Sequence, residues 1–364
     1  MAAPRMIPDL NPALLMNYRA ARSLKTRNTR IGFNGDSTFA GVETGGTTAQ
    51  VLHSVPMQVA AKLQARGINA GANNRFGCAS GTFATLLTMD SRVTATGAWT
   101  QGATTAQGGQ AFACSAAGTL NIVPQGNVTK ADIYWRDGAA GRSFNWSVDG
   151  GATTQIDSTG TTAIKKTTVS LGSSALHTFS LAWVAGAVTI FGVDFYDDTS
   201  SRRELSIQQW GISGATSANA IDDTDTVTGR LAQIKSGKAL MTPDLMIIRL
   251  GVNDWRTSVS ALSMVGNLTT LVTTCQANAC DVILVTPRYD GGSTGLAAQQ
   301  EDYANAIRAL GPVLNVNVLD ARAYFGSYAL GNAAGWYSDT VHGDTGGAGY
   351  GEEAEFFVRA LLTV

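Results

Sequence analysis

Hydrophobic and polar positions divide the chain into three stretches of different texture. Residues 29–34 read as the first strand. Residues 49–66 then carry Val51, Leu52, Val55, Val59 and Leu63 at helical spacing until Arg66-Gly67 stops them. From about Ala70 to Ser201 helical periods vanish. Short alternating runs replace them at 131–136, 143–148, 177–183 and 188–196, separated by glycine turns such as Asp149-Gly150-Gly151, and this spacing predicts a β-sandwich. Beyond it, strand and helix patterns alternate. Strands are expected at 205–210, 245–250, 282–286 and 316–319, and helices at 217–236, 258–277, 296–310 and 349–362. That alternation predicts a parallel sheet covered on both faces, with ligands at the carboxyl ends of its strands. The sandwich is therefore inserted between the first and second strands of an α/β domain. Residues 1–29 contain Pro4, Pro8 and Pro12 and no long period, which predicts an arm lying on the surface or on a partner subunit.

Composition narrows the classes. A chain of 364 residues can hold two or three domains. The net charge of −1, from 26 basic and 27 acidic residues, argues against a nucleic-acid or anionic-membrane partner. Charged residues make up only 15%, and Gly, Ala, Ser and Thr are abundant, which suits extracellular or virion-type proteins better than cytosolic enzymes. No run of about 18 apolar residues predicts a membrane span. The apolar patch 13–16 is too short for a signal-peptide core, so the reading is a cytoplasmic protein, one released by lysis, or one whose signal is not in this sequence. Cys275 and Cys280 are close enough to pair. A disulfide and four buried thiols (Cys78, Cys114, Cys275, Cys280) remain equally open, and none has the company a zinc site needs.

The chemistry is anchored at residues 31–41, where a strand runs into a tight turn presenting Ser37. A serine hydroxyl needs a base to take its proton, and the chain has only three histidines. His53 lies on an expected helix and His177 starts an expected strand, so both read as structural or surface residues. His342 alone has an aspartate three residues before it, Asp339, which can hold one imidazole nitrogen while the other faces Ser37. Two stretches, 211–216 with Gly214 and 250–254 with Asn253, offer a backbone N–H and a side-chain amide for an oxyanion. Trp210, Trp255, Trp336 and Tyr337 adjoin these residues and are candidate walls of a substrate pocket. A rival is Gly291-Gly292-Ser293-Thr294-Gly295, a G-x-S-x-G sequence followed by Asp320 and His342, although residues 287–290 intervene after the strand where a sharp elbow is required.

Gly35-Asp36-Ser37, Gly214, Gly251-Val252-Asn253-Asp254 and Asp339-x-x-His342 stand in the order of the four blocks of SGNH (GDSL-type) hydrolases, and the chain resembles that family on either side of its long middle segment. The resemblance implies an α/β fold, a three-layer α/β/α sandwich with a parallel (flavodoxin-like) sheet at 30–69 and 205–364. An inserted all-β, jelly-roll-like sandwich at 70–204 is then expected, as in some carbohydrate O-acetylesterases. It implies a serine esterase acting through an acyl-enzyme, with Ser37, His342 and Asp339 catalytic, and with Ser37, Gly214 and Asn253 forming the oxyanion hole. No cofactor or metal is expected. The expected substrate is an acylated carbohydrate or small ester, most simply an O-acetyl group on a polymer. The alternatives are a short-chain carboxylesterase and an inert glycan-binding virion protein, with homo-oligomer or phage-tail assembly as the associated expectation.

Overall fold

The computed structural model describes residues 10–24, 27–42, 50–79, 82–199, 204–292, 297–344 and 349–364. Among these, six strands form a parallel sheet in the order Asn317–Leu319, Asp281–Val285, Leu245–Arg249, Thr29–Gly35, Leu205–Gln209 and Ala70–Gly71. Thr29–Gly35 and its two neighbours are buried along their whole length, and Leu245–Arg249 accordingly reads as an apolar run rather than an alternation. Successive side chains still point to opposite faces. Ile31, Phe33, Leu245 and Ile247 pack with Val59 and Leu63 of helix Val55–Gln64 and with Phe357 of helix Gly349–Leu361. Met246 and Ile248 turn the other way, onto Met264 and Leu268 of helix Ala261–Ala277 and Tyr303 and Ile307 of helix Ala297–Leu314. Helices thus cover both faces of the sheet.

Several elements differ from their sequence patterns. The stretch expected as one helix at 49–66 is a 3-10 turn, Gln50–His53, followed by helix Val55–Gln64, because Pro56 lacks the N–H of a helix interior and starts a new helix. The expected helix 217–236 is two short ones, Ser217–Ala220 and Arg230–Lys235. Between them the Asp222 and Asp225 carboxylates accept from the N–H groups of Thr224, Val227 and Thr228, a local alternative to helical bonding. Residues 10–24 are less peripheral than expected. Helix Met16–Ser23 buries Tyr18, whose N–H donates to Asp281, and Leu15 is fully buried. Leu296, the expected start of a later helix, lies outside the described residues. The four cysteines are free and buried.

The middle of the chain forms two antiparallel sheets. One runs Thr154–Asp157, Ser143–Val148, Phe179–Ala185, Gly118–Ile122, Val93–Gly97. The other runs Ala163–Ala175, Val128–Asp137, Val188–Tyr196, Gly109–Cys114, Thr100–Ala106. Their facing residues, among them Phe112, Leu120, Ile133, Trp135, Phe179 and Phe195, fill one core. Helix Phe83–Met89, where only strands were expected, packs on it through Phe83 and Leu86. The second sheet has two buried faces. Its outer face contributes Tyr134 and Phe191, with Phe76, to the core that also holds Trp210 and Met246, and the Phe76 and Trp210 rings meet edge-on at 6.1 Å.

Candidate active site

The central strand ends at Gly35, and helix Ser37–Ala40 starts at once. Asp36 caps that helix, its carboxylate accepting from the Thr38 N–H at 2.9 Å and the Thr38 hydroxyl at 2.6 Å. The turn is tight because position 35 has no side chain: a Cβ there would sit 2.7 Å from both the Arg249 carbonyl oxygen and the Phe39 ring. Ser37 is consequently the first residue of a helix, and its N–H is among those with no acceptor within the helix.

The partner comes from 305 residues away. Asp339 accepts from the backbone N–H groups of Val341 and His342, both at 2.6 Å, so the aspartate folds its own loop around itself. Its second oxygen lies 2.7 Å from His342 Nδ1, and His342 Nε2 lies 2.9 Å from Ser37 Oγ. With the Nδ1 hydrogen directed to the carboxylate, Nε2 presents a lone pair to the serine hydroxyl. Such a constellation can generate a serine nucleophile and return the proton to a leaving group. The loop is pinned from outside by the Gly291 N–H donating to the Thr340 carbonyl at 2.8 Å and by Arg256, which reaches Thr340 Oγ1 at 3.4 Å. Arg256 is itself fixed by Asp290. Burial raises the Asp290 pKa, but hydrogen bonds from Arg256 and the Gly292 N–H outweigh it and hold the carboxyl below its usual range.

Gly214 has φ +75° on an exposed turn where a Cβ would meet nothing within 4 Å, so backbone conformation rather than crowding requires glycine. The preceding N–H, of Ser213, donates to the Ala79 carbonyl at 2.8 Å, which ties the glycine turn to the start of the middle segment. Asn253 lies on helix Val252–Arg256 and donates one amide N–H to the Ala215 carbonyl at 2.9 Å, leaving the amide's second N–H for a ligand. The next residue, Asp254, is buried and accepts from the Ser217 N–H and hydroxyl, joining this helix to the one after Gly214.

The aromatic candidates separate into two pairs. Trp336 and Tyr337 are half-buried on the histidine loop, Trp336 edge-on to Phe325 and Tyr337 under the Arg288 guanidinium, and both remain candidates for a substrate wall. Trp210 and Trp255 do not: at 0% and 1% exposure they belong to the core, Trp210 against Phe76 and Trp255 against Tyr303, and offer a ligand no surface. Of the rival motif, Ser293 lies outside the described residues. Asp320 caps helix Ala321–Phe325 and pairs with Arg308 at 2.7 Å, so it is not the partner of His342. His177 is a structural residue between Asp149 and the Ser173 carbonyl, and His53 is exposed.

The sequence reading missed the charges beneath the serine. Arg249, at the end of its strand, donates to the Thr38 hydroxyl, lies over the Phe39 ring at 4.2 Å and pairs with Glu353, which Arg288 also approaches at 3.6 Å. All three side chains are at most 4% exposed. The signal available was an arginine closing the apolar run Leu245-Met246-Ile247-Ile248 and a glutamate on the apolar face of helix Gly349–Leu361. Tyr350 of the same helix donates to the Val42 carbonyl, so one helix grips both sides of the serine turn.

Residues 191–348 match the model of the GDSL-like lipase/acylhydrolase family, a span that starts in the last strand of the sandwich and includes Gly214, Asn253, Asp339 and His342. No curated protein matches the chain. Among solved structures it is similar to protein YXIM of Bacillus subtilis, at 16% identity over 91% of this chain and 97% of that one, with a TM-score of 0.39. It is also similar to Axe2, an acetylxylan esterase of Geobacillus stearothermophilus (22%, 44% and 73%, TM-score 0.34), and to a family two carbohydrate esterase of Clostridium thermocellum in complex with cellohexaose (13%, 68% and 93%, TM-score 0.33). These likenesses are distant, and none bears on the chemistry. The match covers less than half of the chain and marks residues 191–348 as similar to the GDSL-like lipase/acylhydrolases, the SGNH group of serine ester hydrolases.

Proposed function

We propose that the enzyme removes O-acetyl groups from a carbohydrate polymer through an acyl-enzyme on Ser37. The observation that carries the site assignment is the 2.9 Å contact between His342 Nε2 and Ser37 Oγ. Ser37 Oγ attacks the ester carbonyl carbon as His342 takes its proton, and Asp339 orients the ring and stabilises the imidazolium. The N–H groups of Ser37 and Gly214 and the free amide N–H of Asn253 receive the oxyanion. Collapse of the tetrahedral intermediate breaks the bond to the sugar oxygen, which leaves with the proton from His342. Water then attacks the acyl-serine with His342 again as base, releasing acetate.

A short acyl group is favoured by a small hollow lined by Thr38, Val252, Tyr289 and Val341 together with the charged Arg249, Arg288 and Asp290, Thr38 and Val341 being chain neighbours of Ser37 and His342. A polymeric alcohol is favoured by the inserted residues of roughly 70–204, which meet the Gly214 turn through Ala79 and carry the half-exposed Trp146 and Trp183. Binding energy gathered there is remote from the reacting ester and counts only for substrates long enough to reach it.

The test is acetate release from a panel of O-acetylated polysaccharides, measured beside hydrolysis of 4-nitrophenyl acetate. Trp146→Ala and Trp183→Ala are expected to lower kcat/KM on the preferred polymer and spare the small ester. Turnover of 4-nitrophenyl acetate with no acetate from any polymer would assign the enzyme to small esters instead.

A further inference from the structure

A cavity of about 340 Å³ opens at the far end of the central strand, with Arg30 in its wall. Seven residues at a rise of ~3.3 Å put it about 20 Å from Ser37. It lies between the amino ends of the parallel strands and the outer face of the second antiparallel sheet.

That face is unusual in its chemistry. Along Val128–Asp137 the odd positions, Ala131, Ile133 and Trp135, fill the sandwich core. The even positions, Lys130, Asp132 and Tyr134, turn to the catalytic part, and their cross-strand neighbours include Lys166, Asp194 and Tyr196. At Tyr134 and Phe76 the contact between the two parts is apolar and close-packed, as interiors normally are. At Lys130 and Asp132 it is charged and leaves a void within the ~300–1,000 Å³ range of small-molecule sites.

The wall carries Arg27, Arg30, Lys130, Lys166 and Lys238 against Asp132, Asp194 and Asp198, and the adjoining Asp244 pairs with Arg27 and Lys238, so one positive charge is in excess. Lys130 and Lys166 each pair with one carboxylate, Asp198 at 2.8 Å and Asp132 at 3.2 Å. An ammonium has three donors, so each lysine keeps N–H groups for a ligand. Asp194 is bonded instead to Ser206 and Gln208 and leaves the lysines to others.

We propose that this cavity binds a small oxyanion, a carboxylate, sulfate or phosphate group on a molecule no larger than a monosaccharide, with Lys130, Lys166 and Lys238 as its donors. The site is separate from the ester chemistry, and its test does not involve Ser37. Isothermal titration of the full chain with sodium sulfate, and separately with glucuronate, at ionic strength held constant with sodium chloride, is expected to show one saturable site. Lys130→Gln with Lys166→Gln should weaken binding about 10-fold or more. Asp194→Asn, which deletes a negative charge from the wall, should tighten it about 3- to 10-fold. Opposite shifts from two variants of one cavity cannot both arise from misfolding. Tighter binding of glucuronate than of sulfate assigns an acidic saccharide, and the reverse a free inorganic anion; either supports the site. Absence of saturable binding, or affinities that neither variant moves, would overturn the proposal and leave the cavity a hydrated seam.

Discussion

At the carboxyl end of the Thr29–Gly35 strand, Arg249, Glu353 and Arg288 are packed together out of water, whereas at its amino end Arg30 shares the wall of an open cavity with three lysines and three aspartates. Burying ions is costly, and a buried pair repays it only where each charge meets its partner in good geometry. The dry end sets Glu353 between Arg249 and Arg288, and Arg249 reaches the Thr38 hydroxyl beside Ser37. The wet end leaves the side chains of Lys130, Lys166 and Lys238 part-exposed along the cavity. The same strand thus separates a place where charge holds a turn still from one where charge remains available.

Breaking the catalytic end directly should have the largest effect. Ser37→Ala and His342→Ala are each expected to lower 4-nitrophenyl acetate turnover by about 10⁴- to 10⁶-fold with the thermal melt nearly unchanged, and Asp339→Asn should cost about 10- to 100-fold less than either. Substantial activity in Ser37→Ala, with loss in Ser293→Ala, would move the nucleophile to the rival motif.

Removing one partner of the dry cluster tests whether it is structural support. Glu353→Ala leaves Arg249 buried without its carboxylate and should cost about 3–5 kcal/mol in urea unfolding, while Glu353→Leu combined with Arg249→Met should recover much of that loss. A Glu353→Ala protein as stable as the parent would remove the contrast between the two ends.

On the oxyanion role proposed for it, where charge develops only in the transition state, Asn253→Ala is expected to reduce kcat by about 10²- to 10³-fold with little change in KM. A raised KM with unchanged kcat would make Asn253 a ground-state contact.

The last test concerns stability rather than catalysis, at the junction behind the cavity. Burial raises the Glu204 pKa to about 8, and the nearby Asp194 carboxylate adds to the rise. The folded chain therefore holds a proton that the unfolded chain releases above the ordinary glutamate pKa of ~4.3. Stability from this group is fully present below about pH 4 and is lost as pH rises toward 8, at up to about 1.4 kcal/mol per pH unit. Glu204→Gln should flatten that slope in melts taken across the window without altering kcat on small esters. An unchanged slope would mean that Glu204 is ionised in the fold.

Local patterns carried much of this chain because its parallel strands are buried on both faces and its sandwich strands have one wetter face: Leu245–Arg249 reads as an apolar run and Ser143–Val148 as an alternation. They failed where a side chain competed with the backbone, as at Asp222 and Asp225, or where a short helix is stabilised by what it packs on, as at Phe83–Met89. The candidates Ser37, Gly214, Asn253, Asp339 and His342 could be picked out because each sits in a short motif. Trp210 and Trp255 were misplaced because nearness along the chain says nothing about the face on which a ring lies.

Sequence alone determined the alternation of strands and helices around an all-β middle segment and proposed the serine, histidine and aspartate as candidates, since these rest on periodicity and on residue types within a few positions of one another. The tertiary structure decided what depends on distance through space. It brought His342 to Ser37 across 305 residues, chose Glu353 from among the glutamates of its helix as the partner of Arg249, and set Lys130 and Lys166 opposite Lys238. Pairwise electrostatics and close packing act between groups that folding brings together, and no local window of sequence contains both partners.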